Sequence, residues 1–226
     1  MVRIPKTLIT ATILVVAISL NAGTLNAGSL NAGAAGAQQM QVAATTVSGR
    51  TGDVYLLRGL MNVFSQGMDT LATELGGKGF QTKVINHSSW SYAAAQITER
   101  YKAAKRPEPV FLIGHSLGAD AVILLAERLA ENKVPVTLAV TFDPVHPRPA
   151  PHNVKRFVNF FQSNNGFGVP VKPQKGYRMS IVNTDLKDRE DIGHTTIDKA
   201  DFLHSKVVSE MMRLSRPIRR TVAGAG

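Results

Sequence analysis

The chain predicts one doubly wound α/β domain, a mostly parallel sheet with helices on both faces. Two observations carry this: short apolar runs are separated by stretches of helical periodicity, and the runs, apart from an alternating one at 80–85, are continuously apolar as in strands covered on both faces. A third is compositional. At 44% hydrophobic and 19% charged, the 226 residues suit a globular domain with a targeting segment, not a disordered tail or a repeat array.

Residues 1–37 read as a removable export signal. Arg3 and Lys6 form a positive start, 8–20 is an apolar run, and Ala35-Gly36-Ala37 offers small residues for cleavage before Gln38. The run is shorter than the roughly 20 residues a membrane-spanning helix needs. Leu-Asn-Ala-Gly, repeated from Leu20, Leu25 and Leu30, is a low-complexity spacer. The expected destination is the periplasm or the exterior, with membrane anchoring if the leader stays attached. Residues 38–52 form a polar lead, and the α/β domain is expected over 53–214.

Within the domain, 54–57 is a short buried strand. Met68, Leu71, Ala72 and Leu75 then recur at helical spacing until Gly76-Gly77 stops the helix. A second strand covers 80–85, and 92–105 is a helix closed by Arg106-Pro107. Residues 110–113 make a third strand, 119–131 a helix and 136–142 a fourth strand. The fifth and sixth strands fall at 157–161 and 179–182, a closing amphipathic helix at 202–214, and a basic tail at 215–226. Ligands of such sheets lie outside the carboxyl ends of the strands.

Gly114-His115-Ser116-Leu117-Gly118 stands at one of those ends, between the strand at 110–113 and the helix at 119. This strand–turn–helix context is what the G-x-S-x-G pattern requires of a nucleophile elbow: a serine is thrust out of a tight turn while small residues on either side let strand and helix close up. Any covalent chemistry must use oxygen or nitrogen, because the chain has no cysteine.

At these residues the sequence resembles the α/β-hydrolase superfamily in its esterase, lipase and thioesterase branches. The resemblance implies a chain order of serine, acid, histidine. Asp143, in Thr141-Phe142-Asp143-Pro144, closes the strand after the elbow helix and is the favoured acid; Asp185, Asp188 and Asp191 compete from a charge-balanced loop. His194, in Ile192-Gly193-His194-Thr195-Thr196, precedes the final helix, where the superfamily carries its histidine. His146 lies too near the acid, His152 sits in a proline-rich turn, and His204 falls inside a helix. His115 is expected to support the elbow and His87 to be a loop residue.

An acyl-transfer intermediate needs two donors for its oxyanion. The backbone N–H of Leu117 is one. The other is the backbone N–H of Leu60, in Arg58-Gly59-Leu60-Met61-Asn62, with Met61 as fallback; arginine stands where many relatives have histidine. Asn62, Ser65 and Gln66 are expected along the rim, and Phe161, Phe167 and Val169 beside an acyl pocket. Only 51 positions separate Asp143 from His194, leaving no room for a large lid.

The expected function is an exported serine hydrolase acting on a small acyl ester or thioester, without a metal or organic cofactor. An idle hydrolase fold serving as an envelope scaffold, and an acyltransferase, are the alternatives. The net charge of +10, with basic runs around Arg100 and Arg213, suits contact with an anionic envelope surface. Neither run carries the interleaved aromatics of a specific nucleic-acid site.

Overall fold

The computed structural model describes residues 45–60 and 65–222. The expected leader at 1–37 lies outside them. Among the described residues the chain forms fourteen elements: eight strands, four helices and two short 3-10 turns. The main sheet takes β2 (Asp53–Arg58), β3 (Thr82–Asn86), β4 (Val110–His115), β5 (Leu138–Phe142), β6 (Arg156–Phe161) and β7 (Ser180–Asp185) in the order β3-β2-β4-β5-β6-β7. Every neighbouring pair is parallel. All six predicted strands are present.

Burial follows position in the sheet. Each residue of β4 and β5 is buried, as expected of central strands covered on both faces, whereas β7 at one edge has none fully buried. Alternate side chains feed two cores. Val54, Leu56, Phe111, Ile113 and Val140 pack beneath α1 (Gly67–Gly77) and α4 (Asp201–Leu214). Tyr55, Leu57, Leu112, Ala139 and Phe157 pack beneath α2 (Trp90–Ala103) and α3 (Leu117–Glu131). The sequence of α3 is apolar on most of its circumference, and eight of its residues are buried over the middle of the sheet.

Two further strands lie in the segments read as a polar lead and a basic tail. β1 (Thr45–Arg50) pairs antiparallel with β8 (Pro217–Val222) from Thr45 opposite Val222 to Arg50 opposite Pro217. Arg50 ties this ribbon to the end of α4, donating to Ser215 Oγ at 2.7 Å and to the Met212 carbonyl at 2.7 Å.

The strand order explains where a site can form. After β2 the chain leaves through α1 to β3 on one side; after β4 it leaves through α3 to β5 on the other. The connections therefore diverge between the adjacent strands β2 and β4, and their carboxyl ends open a crevice. Gly59 follows one strand and Ser116 the other.

Candidate active site

Ser116 sits between β4 and α3 with φ 58° and ψ −127°, a backbone region that costs a non-glycine residue energy and that the packing around it must enforce. The packing is close. A Cβ at position 114 would lie 2.3 Å from the Gly118 carbonyl oxygen, and one at 118 would lie 2.1 Å from the Leu57 carbonyl oxygen. Only glycines let strand, helix and β2 meet this tightly. The Ser116 amide donates to the Phe142 carbonyl at 2.9 Å, which fastens the turn to the end of β5.

Asp143 follows directly on that strand. It is fully buried, also has positive φ (50°), and its amide donates to the Phe160 carbonyl at 2.7 Å. Its carboxylate is surrounded by donors. Oδ1 accepts from the Gln162 amide at 3.0 Å, while Oδ2 accepts from Asn165 Nδ2 at 2.6 Å and lies 2.6 Å from His194 Nδ1. The other ring nitrogen of His194, Nε2, is 3.0 Å from Ser116 Oγ. Three side chains separated by 27 and 51 positions thus form one hydrogen-bonded row. With a proton on Nδ1 facing the carboxylate, Nε2 is free to accept from the serine hydroxyl, the arrangement that makes a weak alcohol reactive.

The competing residues stand elsewhere. The Asp185 carboxylate accepts from the Ser163 amide and hydroxyl and from the Lys187 amide, which hold it below its ordinary pKa. Asp191 pairs with Arg189 on the surface. His204 is buried, with Nε2 2.7 Å from the Asp198 carbonyl and Nδ1 3.1 Å from Glu74. The His146 amide donates to Asp120 in the first turn of α3.

Around Ser116, the backbone N–H of Leu117 is the first amide of α3, where helix amides lack an intrahelical acceptor and the helix presents its positive end. Across the crevice, Gly59 abuts the elbow: a Cβ there would lie 3.0 Å from both Ser116 Cβ and the His115 carbonyl oxygen. Leu60 follows it. Met61 and Asn62 fall outside the described residues. Arg58 turns away from this loop, its Nε donating to Asp69 of α1 at 2.9 Å and its other nitrogen pairing with the second carboxylate oxygen. His87 instead approaches from the end of β3, with Nδ1 3.2 Å from the Gly59 carbonyl oxygen. From the sequence alone His87 reads as a loop residue.

Two expectations are corrected, Ser65 on the rim and Phe161 beside an acyl pocket. Ser65 is fully buried, receiving the Gly59 amide at 2.8 Å and bonded to His115 Nδ1 at 2.8 Å, so it faces the interior. Phe161 belongs to the core at 6% exposure, whereas Phe167 is half-exposed and stacks on the His194 ring, centroids 4.3 Å apart and planes 24° from parallel.

Asn165 was missed altogether. Its Oδ1 accepts from the amides of Phe167 and Gly168, curling the loop so that its Nδ2 reaches Asp143 and Phe167 covers the imidazole. The Asn165-Gly166 pair was the available signal, since Asn followed by Gly favours turns that return to their own backbone. Clefts open away from Ser116, one at the amino edge of the sheet around Lys83 and Arg100 and another beside α4. Among the described residues no group of three or more His, Asp or Glu side chains is arranged to hold a metal ion.

No protein-family model matches the chain and no curated protein matches its sequence. Among solved structures, it is similar to a protein from Xanthomonas campestris pv. campestris described as a putative hydrolase of the alpha/beta superfamily. The two share 14% identity over 72% of this chain and 98% of the other, with a TM-score of 0.40.

Proposed function

We propose that this chain is an exported serine hydrolase that cleaves a carboxylic ester or thioester through an acyl-enzyme on Ser116. The observation that carries the reading is the Ser116–His194–Asp143 row, with Nε2 3.0 Å from the hydroxyl and Nδ1 2.6 Å from a buried carboxylate. Ser116 Oγ attacks the carbonyl carbon as His194 Nε2 takes its proton, and Asp143 holds the imidazole in the needed tautomer and stabilises the cation that forms. The carbonyl oxygen becomes an oxyanion beside the amides of Leu60 and Leu117. Collapse expels the alcohol or thiol with the proton from His194. Water, deprotonated in turn by His194, then releases the acid and restores Ser116.

A fluorophosphonate probe tests this directly. Ser116 should be modified in the folded protein and Ser116→Ala should stay unlabelled; a folded wild type that resists the probe would favour an idle scaffold. A series of chromogenic esters and acyl-thioesters of graded length then identifies the acyl group, and added alcohols that divert product from free acid would mark an acyltransferase. The leader at 1–37 supports the export assignment, which secretion of a full-length fusion to a periplasm-dependent reporter checks.

The loop behind the acid gives a second test. A Cβ at position 168 would fall 1.9 Å from Asp143 Oδ1 and 2.8 Å from the Gln162 amide. Neither can yield without breaking the carboxylate's bonds. Gly168→Ala should therefore lower kcat by about a hundredfold, the cost of a misplacement near 1 Å. A wild-type kcat in that variant would show that the acid needs no such enclosure.

A further inference from the structure

Behind Ser116 runs a line of hydrogen bonds that the reaction just described does not use. His115 is buried, with Nε2 2.7 Å from the His194 carbonyl oxygen and Nδ1 2.8 Å from Ser65 Oγ. A carbonyl oxygen only accepts, so Nε2 carries the hydrogen. Burial keeps the ring neutral, its pKa pushed down to about 4 by desolvation, which leaves Nδ1 bare. Nδ1 accepts, and the Ser65 hydroxyl must donate to it. The Ser65 oxygen in turn accepts from the Gly59 amide at 2.8 Å. Each bond thus has one allowed direction, from Gly59 N–H through Ser65 and His115 to the backbone of His194.

The two ends of this line matter for the proposed chemistry. At one end, the carbonyl of Gly59 accepts from His87 Nδ1 at 3.2 Å. The Gly59–Leu60 peptide is trans, as are all those among the described residues, so the Leu60 N–H in the same peptide unit points away from His87. Gly59 is therefore held at its amide by Ser65 and at its carbonyl by His87. At the other end stands the residue whose imidazole faces Ser116.

We propose that Ser65 and His115 are a positioning pair that locks the Gly59–Leu60 peptide and the backbone of His194 to opposite sides of the elbow, so that oxyanion donor and base keep one geometry about Ser116. The inference rests on the serine-hydrolase reading. Neither side chain touches substrate; both act through the groups they hold.

The rate of fluorophosphonate labelling, followed from pH 5 to 9, separates the two arms. Ser65→Ala leaves the bond from His115 to His194 but frees Gly59. Its labelling should slow by about tenfold or more at every pH, since an aligned oxyanion donor is lost. His115→Asn can still accept from Ser65 through its side-chain oxygen but cannot reach the His194 carbonyl. Its labelling should slow with a displaced pH midpoint, because the base itself has moved. Should Ser65→Ala not fold, Ser65→Cys, a near-isosteric and weaker donor, replaces it.

Wild-type rates in both variants would overturn the proposal. So would equal losses with an unshifted pH profile, the signature of a general packing defect. A wild type that never labels defeats the hydrolase reading instead, so the two failures are distinguishable.

Discussion

Asp143→Asn is expected to lower kcat by about 10⁴-fold while the protein remains folded, the loss seen when a buried acid of this kind becomes an amide. The hydrogen bonds around the carboxylate say why. Oδ1 accepts from the Gln162 amide, so the oxygen of the substituted side chain must take that place. Its NH2 group then occupies the position of Oδ2, facing Asn165 Nδ2 and His194 Nδ1. Asn165 cannot turn its own oxygen inward without surrendering the bonds it receives from Phe167 and Gly168. His194 must respond instead, accepting at Nδ1 and carrying its hydrogen on Nε2, where it can no longer take a proton from Ser116. Turnover of a chromogenic ester, with circular dichroism to verify folding, measures the effect. Asp185→Asn serves as the comparison: its carboxylate is committed to Ser163 and Lys187, and kcat should stay within about twofold. A kcat within tenfold of wild type for Asp143→Asn would remove Asp143 from the mechanism.

The parallel sheet was legible because its central strands are almost wholly apolar and glycine or proline follows the helices between them; β4 and β5 needed no partner information to be recognised. β1 and β8 were not. Their sequences, Thr-Thr-Val-Ser-Gly-Arg and Pro-Ile-Arg-Arg-Thr-Val, carry few apolar residues, and each becomes a strand through pairing with a segment more than 160 positions away. The row of Ser116, Asp143 and His194 could be anticipated because each stands at a strand end or just before a helix, positions fixed by the order of elements. The residues that hold the row were hidden for the opposite reason. Ser65, His87 and Asn165 act through individual hydrogen bonds, which leave no periodicity or spacing in the sequence; His115 alone, lying inside the elbow motif, was open to a supporting role. Arg58 illustrates the limit: its place before Gly59 was visible, but its pairing with Asp69, and the approach of His87 to the same loop, depend on how α1 and β3 pack.

Substitutions at His115 and Asp198 should tilt the pH dependence of stability in opposite directions between about pH 4 and 6. Asp198 is fully buried below α1, with Oδ2 accepting from the Gly67 amide at 2.9 Å and Oδ1 left without a partner. Desolvation raises its pKa from 3.8 to about 6, against the pull of Lys199, the Gly67 amide and His204. The folded protein therefore keeps a proton that the unfolded chain sheds, and stability falls as pH rises through this window, by about 3 kcal/mol. His115 does the reverse. Its pKa drops from 6.5 to about 4 through desolvation, opposed by its bond to the His194 carbonyl and by Asp143. The unfolded chain takes up a proton that the folded protein refuses, so stability rises with pH across nearly the same window, again by about 3 kcal/mol. The two slopes nearly cancel in the unsubstituted chain. His115→Gln leaves Asp198 alone and should make the protein less stable at pH 6 than at pH 4; Asp198→Asn leaves His115 alone and should make it more stable at pH 6 than at pH 4. Urea unfolding at each pH reads both, and two variants that keep the wild-type profile would contradict the account. The 3.8 Å between His115 Nδ1 and Asp198 Oδ2 looks like an ion pair, yet the two are never charged together in strength. Above pH 6 only the carboxylate is ionised, below pH 4 only the imidazole, and between them both are neutral. The ring beside the elbow thus keeps its bare Nδ1 across the neutral range in which a histidine base would work, and the bond from Ser65 keeps its direction.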